Sequence, residues 1–212
     1  MGALQTALAI VRENRRAYLA LNLAYYGLIA LAMGAAALEP RLHLRLTEWV
    51  GQGIRAGGLA PILRLYASGN VAAAAGGTLA VNLLIGSLAS ITLPSIVVPF
   101  SGLLVAGIRA ILWGLIFMPD SLSVGPAQVL SGALILLVLL LEGQGYVLTM
   151  LAAYDQGRAW LKPAAAGAVS RRAGYTAGLR RTLRLYPLVV ITLAVAGLVE
   201  AAAAILIIPR LT

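Results

Sequence analysis

The chain has 212 residues, of which 61% are apolar and only 11% are charged, and its mean hydropathy is +0.93. Soluble domains are about 45–50% apolar and about 25% charged, so this composition excludes an ordinary soluble domain and predicts a multi-pass membrane protein. Cysteine is absent, which excludes disulfides and thiolate metal sites. The net charge of +9 indicates topology signals and contact with anionic lipid headgroups rather than binding of nucleic acid.

The N-terminal region predicts a short amphipathic helix over residues 1–16, followed by a first span at residues 17–38. Leu4 and Leu8 lie on one side of the short helix, and Arg15 and Arg16 end it. The apolar run of the first span is longer than the core of a secretion signal, so we expect an uncleaved signal anchor.

The connection at residues 39–68 carries apolar residues at helical spacing among several arginines. Leu42, Leu46 and Trp49 recur every three or four positions, which is typical of a helix lying in the membrane interface. A second amphipathic turn is expected after Pro61. His43, the only histidine of the chain, has no metal-binding companions, and we interpret it as an ordinary interfacial residue.

The second and third spans are predicted at residues 71–93 and 98–118, with Asn82 and Arg109 near their respective centres. An uncharged break with four characteristic residues separates them: Pro94, Pro99, Ser101 and Gly102. Two alternatives remain open for this break. It is either a tight turn between two spans or a re-entrant, broken helix at membrane depth, where irregular backbone is tolerated only against protein or water.

The fourth and fifth spans are predicted at residues 129–154 and 187–208, and a basic loop at residues 155–185 joins them. The candidate binding residues of this loop are Arg158, Arg171, Arg172, Arg180, Arg181 and Arg184. Five spans place the N-terminus and this loop on one side of the plasma membrane, which the positive-inside rule makes cytoplasmic. Residues 39–68 then lie outside in spite of their four arginines. The fold class is therefore an all-α, polytopic transmembrane helix bundle forming one domain over residues 1–212.

Polar residues in the apolar runs predict one intramembrane cluster of Asn82, Arg109, Glu142, Gln144 and Glu200. A charge at the bilayer centre costs about 2.5–3.5 kcal/mol on insertion scales, so it normally faces protein or water and has a partner. The cluster is either an ion pair or triad that locks the helices together, or the lining of a path for an ion, a proton or a lipid headgroup. A neutral glutamate hydrogen-bonded to Asn82, Gln144 or Tyr146 is a further alternative.

The basic loop has three interpretations, which are binding of anionic lipid, a topology signal, and a docking surface for a soluble partner such as an ATPase. Small residues at four-residue spacing, such as Gly102, Ala106 and Ala110, allow close helix approach and make a homodimer plausible. Catalytic and phosphate-binding motifs are absent from the sequence. We therefore expect no enzymatic activity, no metal and no cofactor.

Short motifs surround the polar residues of the predicted spans. They are Asn14-Arg15-Arg16, Asn82-Leu83-Leu84-Ile85-Gly86, Ser101-Gly102, Leu140-Leu141-Glu142 followed by Ala152 and Gly157, and Ala196-Gly197-Leu198-Val199-Glu200-Ala201. In this order they resemble the stage II sporulation protein M family of integral membrane proteins. Two features depart from the family pattern, because its Pro-His-Gly before the central glutamate is missing and its Asn-Gly pair is Ser-Gly here.

The resemblance implies a non-enzymatic membrane scaffold or a permease-like subunit. In spore formers the family member works with a peptidoglycan-hydrolase complex at the engulfing membrane, so a cell-wall hydrolase complex is one expected partner. The alternative is the membrane subunit of an ABC-type exporter, whose ATPase would dock on the basic loop. Co-purification of a hydrolase or of an ATPase would separate the two.

Overall fold

The structure is a computed structural model that describes residues 2–57, 60–118 and 126–210. Every regular element in these ranges is a helix. In chain order the helices are α1 (Ala3–Glu13), α2 (Arg15–Leu38), α3 (Pro40–Ala56), α4 (Ala60–Ala67), α5 (Val71–Val97), α6 (Ser101–Ile116), α7 (Pro126–Leu161) and α8 (Arg171–Arg210).

Four of these helices, α2, α5, α7 and α8, are long and apolar enough to cross a membrane. They coincide with four of the five predicted spans. The predicted third span is the shorter helix α6, which has 16 residues and is therefore about 24 Å long. A hydrocarbon core is about 30 Å thick, so a typical spanning helix has about 20 residues. The sequence also predicts a short polar turn between the third and fourth spans, at residues 119–128, and residues 119–125 of it lie outside the described ranges.

The prediction of a loop at residues 155–185 is wrong, because most of this segment is helical. Helix α7 continues to Leu161, and α8 begins at Arg171, where the Ser170 hydroxyl accepts a hydrogen bond from the Ala173 N–H at 3.2 Å. Only a short connection with a 3₁₀ turn, Pro163–Ala166, separates the two helices. Hydropathy marks the end of the apolar run, whereas the helices extend past it into the polar region.

The break between α5 and α6 is a tight turn, and its depth in a membrane, on which the two alternatives differ, stays a prediction. Helix α5 ends at Val97, and Phe100 takes a left-handed conformation with φ of 68° before α6 begins. The Ser95 hydroxyl accepts a hydrogen bond from the Gly102 N–H at 2.9 Å. A side chain at position 102 would collide with the Ile91 carbonyl. This explains why glycine occupies the second position of α6.

The turn, the α7–α8 connection and the end of α1 lie together, and we call this part of the molecule the basic end. The Phe100 ring lies 6.1 Å from the Tyr154 ring, and the Tyr175 hydroxyl donates to the Ile96 carbonyl at 3.4 Å. Arg181 contacts Glu13 of α1. The N-terminal region and the basic segment therefore lie at the same end of the bundle.

The opposite end carries the two predicted amphipathic segments, which are helices α3 and α4. His43 Nδ1 lies 2.8 Å from the Leu115 carbonyl oxygen, so α3 packs at the C-terminal end of α6. Leu65 and Ile62 of α4 pack against Gly77 near the start of α5. Both helices thus rest on the ends of the apolar helices.

Helix α7 is at the centre of the bundle and is buried on several sides along its second half. Tyr146 and Met150 join a core with Tyr25 of α2 and Ala110 of α6. Further towards the basic end, Leu151 and Ala152 of α7 pack with Ala7 and Ile10 of α1 and with Leu185 of α8. Helix α1 is therefore part of the packed bundle.

The small-residue face of α6 is used inside the chain. Gly102, Ala106, Ala110 and Gly114 are all buried, and the Gly114 backbone lies against the Ile29 carbonyl of α2. Close approach of α6 to α5 at Gly102 and to α2 at Gly114 explains the small residues at four-residue spacing. This face of α6 is therefore not available as an interface with a second copy of the chain. The homodimer remains a prediction, and its interface would have to lie elsewhere.

Candidate functional site

The predicted intramembrane cluster separates into two networks on different sides of α7. Glu142 faces α5, α6 and α8, whereas Gln144 faces α2. Two residues along an α-helix correspond to a rotation of about 200°, so the two side chains point in nearly opposite directions. Gly143 and Gly145 lie against Tyr26 of α2 and Leu193 of α8 respectively, and their lack of side chains allows both neighbours to approach α7 closely.

The first network joins Asn82 of α5 to Glu142 and Tyr146 of α7. The Asn82 amide donates to Glu142 Oε1 at 2.5 Å, and the Tyr146 hydroxyl donates to Asn82 Oδ1 at 2.9 Å. Glu142 is 8% exposed and Tyr146 is 1% exposed. Gly86 makes room for the Tyr146 hydroxyl, because a Cβ there would lie 2.6 Å from it.

Arg109 of α6 belongs to this network but forms no ion pair with either glutamate. Its guanidinium donates to the Gly86 carbonyl at 2.8 Å and to the Ser90 hydroxyl at 2.7 Å. It also lies over the Tyr146 ring, 4.7 Å from the centroid, a favourable cation–π geometry. The only ion pairs within the described ranges are those of Arg181.

The predicted ion pair or triad with Arg109 is therefore wrong for the described residues. The physical reason is that Arg109 finds hydrogen-bond acceptors on α5, in the stretch Val81–Thr92 that is π-helical. In this stretch the Gly86 carbonyl and the Ser90 hydroxyl offer acceptors to a neighbouring helix, and the guanidinium uses them. Such π-helical departures from regular α-helix are frequent at functional sites.

Glu142 and Glu200 both line one pocket of about 200 Å³ between α7 and the end of α8. The remaining lining is apolar and consists of Phe117, Leu134, Ile135, Val138, Leu139, Ala203, Ala204 and Ile208. The small alanines of α8 opposite the larger side chains of α7 leave this space open.

The Glu200 carboxyl is surrounded by Tyr66, Thr78 and Glu142. Its Oε2 atom is buried and accepts no hydrogen bond from any described residue. The Tyr66 and Thr78 hydroxyls lie 2.8 Å apart, and burial raises the pKa of Tyr66 to about 12, so this hydroxyl stays protonated. Sequence reasoning missed Tyr66, because its position in α4 is far from Glu200 along the chain.

The second network is centred on Gln144 and ties α7 to α2. Gln144 Oε1 accepts from the Tyr18 hydroxyl at 2.7 Å, while Nε2 donates to Asn22 Oδ1 at 2.6 Å and to the Tyr26 hydroxyl at 3.0 Å. The Tyr26 hydroxyl in turn donates to the Leu140 carbonyl at 2.7 Å. The polar atoms of Gln144 are therefore paired within the protein, as expected for a contact that holds two helices together.

The six arginines predicted as a binding surface also separate into two groups. Arg158, Arg171, Arg172, Arg180 and Arg184 are exposed. Arg181, in contrast, donates to Asp155 Oδ2 at 2.5 Å and to Glu13 Oε2 at 2.8 Å. Arg181 thus connects α8 to α7 and α1, and it is a structural residue rather than part of an exposed surface.

Sequence reasoning missed the acidic partners of Arg181. Glu13 and Asp155 are the acidic residues of two otherwise basic segments. A single acidic residue among several basic ones could have indicated an ion pair. Together with Asn14 and Arg158 they line a polar pocket of about 300 Å³ at the basic end. The Arg158 guanidinium lies 3.5 Å from Asn14 Oδ1.

No family model, curated protein or solved structure matches the chain. The resemblance to the sporulation family therefore rests on its short motifs. Three residues of those motifs, Asn82, Glu142 and Glu200, come from three different helices and meet at one network and pocket. Chemically, this arrangement offers two carboxyl groups in an apolar wall, and the Asn82 amide is hydrogen-bonded to one of them.

Proposed function

We propose that the protein is a non-enzymatic, permease-like membrane subunit in which the pocket between α7 and α8 forms part of a transport path. The observation that carries this proposal is that the two intramembrane carboxyl groups, Glu142 and Glu200, line the same pocket. Ionisable groups at membrane depth mark ion, proton or substrate pathways when they face a cavity.

The contrast with Gln144 supports a path over a helix lock. A polar group that locks helices is paired with groups of the neighbouring helix, as Gln144 is with three residues of α2. Glu200 Oε2, in comparison, is buried without a partner among the described residues. Glu142 and Glu200 are in addition the two polar residues of a pocket lining, a position that the locking of helices does not require.

The non-enzymatic part of the proposal rests on the chemistry of the pocket wall. Its residues are two glutamates among Phe, Leu, Ile, Val and Ala. The two carboxyl groups are the polar groups of this lining, and the sequence carries no catalytic or phosphate-binding motif to accompany them.

The direct test records charge movement on supported membranes that carry the purified protein, after concentration jumps of protons, sodium ions and a small organic ammonium ion. We expect transient currents with the wild type and a loss of at least about tenfold in Glu142→Gln and Glu200→Gln. Glu39→Gln, which removes an exposed carboxylate outside the pocket, serves as the matched control. Currents equal to those of protein-free membranes for all three ions would overturn the transport path.

A second candidate is the membrane subunit of an ABC-type exporter, favoured by the exposed arginines beside the α7–α8 connection. Arg171, Arg172, Arg180 and Arg184 lie within 14 positions on the N-terminal part of α8, and all are exposed. Neutralising Arg180 and Arg184 should abolish co-purification of an ATPase if this surface docks one. Arg181 must be left unchanged, because its loss would disturb α1 and α7. Co-purification of a cell-wall hydrolase, unaffected by these changes, would instead favour the scaffold implied by the sporulation family.

A further inference from the structure

We propose that the pocket between α7 and α8 binds a primary alkylammonium amphiphile, with the ammonium group at Glu142 and Glu200 and the alkyl chain along the apolar wall. This inference rests on the proposed function and names the chemical class of its ligand. The class includes lipophilic amines and lipids whose head is a primary amine.

The acidic lining of the pocket favours a cation over an anion. Two carboxyl groups line it, and Arg109, the nearest cation among the described residues of the site, is directed to Gly86, Ser90 and the Tyr146 ring. An anionic ligand would therefore meet two acidic groups without an available guanidinium. A cation entering the pocket would satisfy them in a low-dielectric environment, where such attraction is strong.

The hydrogen-bonding pattern selects a cation that carries N–H donors. The Asn82 amide already donates to Glu142 Oε1, whereas Glu200 Oε2 is buried beside the Tyr66 and Thr78 hydroxyls without a hydrogen bond of good geometry from a described residue. A primary ammonium group carries three donors, and hydrogen bonds between charged partners are about twice as strong as neutral ones. A quaternary ammonium group has the same charge and no N–H, so it cannot satisfy these oxygens.

The apolar wall selects an amphiphile over a hydrated metal ion. Calcium takes six to eight oxygen ligands and magnesium keeps several waters, whereas this pocket presents carboxyl oxygens from only two residues. Leu134, Val138 and Ala204 offer no ligand atoms and instead match an alkyl chain. Ile135, which also lines the pocket, is 39% exposed on the apolar outer surface. The ligand can therefore reach the pocket from the lipid side.

The experiment measures ligand binding to the full-length protein in phosphatidylcholine nanodiscs, through the thermal unfolding midpoint and through native mass spectrometry. Three probes share the same chain and differ at the head: octylammonium, octyltrimethylammonium and octanol. We expect a saturable rise of the midpoint and a 1:1 complex with octylammonium only, because a ligand that binds the folded state stabilises it. The apparent affinity should fall roughly tenfold or more in Glu200→Gln.

Two further variants keep the test informative if Glu200→Gln does not fold. Ala204→Phe fills the pocket without changing a charge and should abolish the complex, whereas Glu39→Gln should leave it unchanged. Equal effects of all three probes, or a complex that persists in Ala204→Phe, would overturn the proposal. Equal binding of octylammonium and octyltrimethylammonium would overturn the requirement for N–H donors.

Binding and charge movement report on different claims. A specific octylammonium complex without any ion current would keep the ligand class and refute the transport path. Currents that depend on Glu142 and Glu200, without a specific complex, would keep the path and refute the ligand class.

Discussion

Two buried tyrosines of the same core allow a matched test of the Glu142 network. Tyr146 and Tyr25 are 1% and 0% exposed, and both belong to the central core around α7. The Tyr146 hydroxyl donates to Asn82 at 2.9 Å, whereas the Tyr25 hydroxyl has no partner among the described residues. Substitution of each by phenylalanine removes one oxygen atom and keeps the ring.

Only one of the two substitutions is expected to destabilise the protein. Tyr146→Phe loses an interhelical hydrogen bond and leaves Asn82 Oδ1 unpaired, so we expect a loss of about 1 kcal/mol, within the range of about 0.6–2 kcal/mol measured for such contacts in membranes. The ring remains over Arg109, so the cation–π contact is retained. Tyr25→Phe removes a buried hydroxyl that lacks a partner, and we expect no loss or a gain of up to about 1 kcal/mol.

Unfolding in mixed micelles with increasing SDS, followed by circular dichroism, measures both variants against the wild type. The comparison requires a single cooperative transition with coincident probes. Tyr146→Phe should unfold at lower SDS than Tyr25→Phe, by a difference equivalent to about 1–2 kcal/mol. We attribute the difference in stability between the two variants to the hydrogen bond with Asn82 and not to the ring. Equal midpoints, or a larger loss in Tyr25→Phe, would refute this.

Three further predictions concern residues outside the pocket. Gln144→Leu should lower the free energy of unfolding by about 1–3 kcal/mol in the same assay, because it leaves polar groups of α2 unpaired. It should leave the ion currents unchanged, and reduced currents would count against two separate networks. Arg181→Gln should cost about 2 kcal/mol, because it leaves Asp155 buried without its cation, and it should speed hydrogen exchange in α1. The exposed Arg180→Gln is the control, and equal effects would contradict the assignment. Gln156→Met should stabilise the protein by about 1 kcal/mol, because both side-chain polar atoms of Gln156 lack partners among the described residues; a loss would indicate an ordered water at this position.

Much of the fold could be predicted because a membrane leaves few choices. Each backbone polar group in hydrocarbon must be paired within its own segment, so long apolar runs become helices. This reasoning placed α2, α5, α7 and α8 close to their positions in the structure. It could not determine that α7 and α8 continue as helices beyond the apolar runs, since a helix end depends on capping and on packing at the basic end.

The candidate site could be predicted only in part. The cost of polar groups in hydrocarbon identified Glu142, Glu200, Asn82, Arg109 and Gln144 as unusual. The hydrogen-bond partners of these residues could not be derived from the free-energy cost of burying them. Arg109 was expected at a glutamate, but a π-helical stretch of α5 presents Gly86 and Ser90 to it instead.

The sequence by itself determined that the chain forms helices suited to a membrane and that a few polar residues lie near the centres of its apolar runs. Both conclusions follow from the hydropathy of single residues and from the free-energy cost of placing a polar group in hydrocarbon. Only the tertiary structure decided how those groups are divided. The rotation of about 200° between Glu142 and Gln144 sends one to a pocket and the other to α2. The meeting of Glu142 with Glu200, 58 positions away, depends on how α7 packs against α8, and that packing is set by many distant contacts at once.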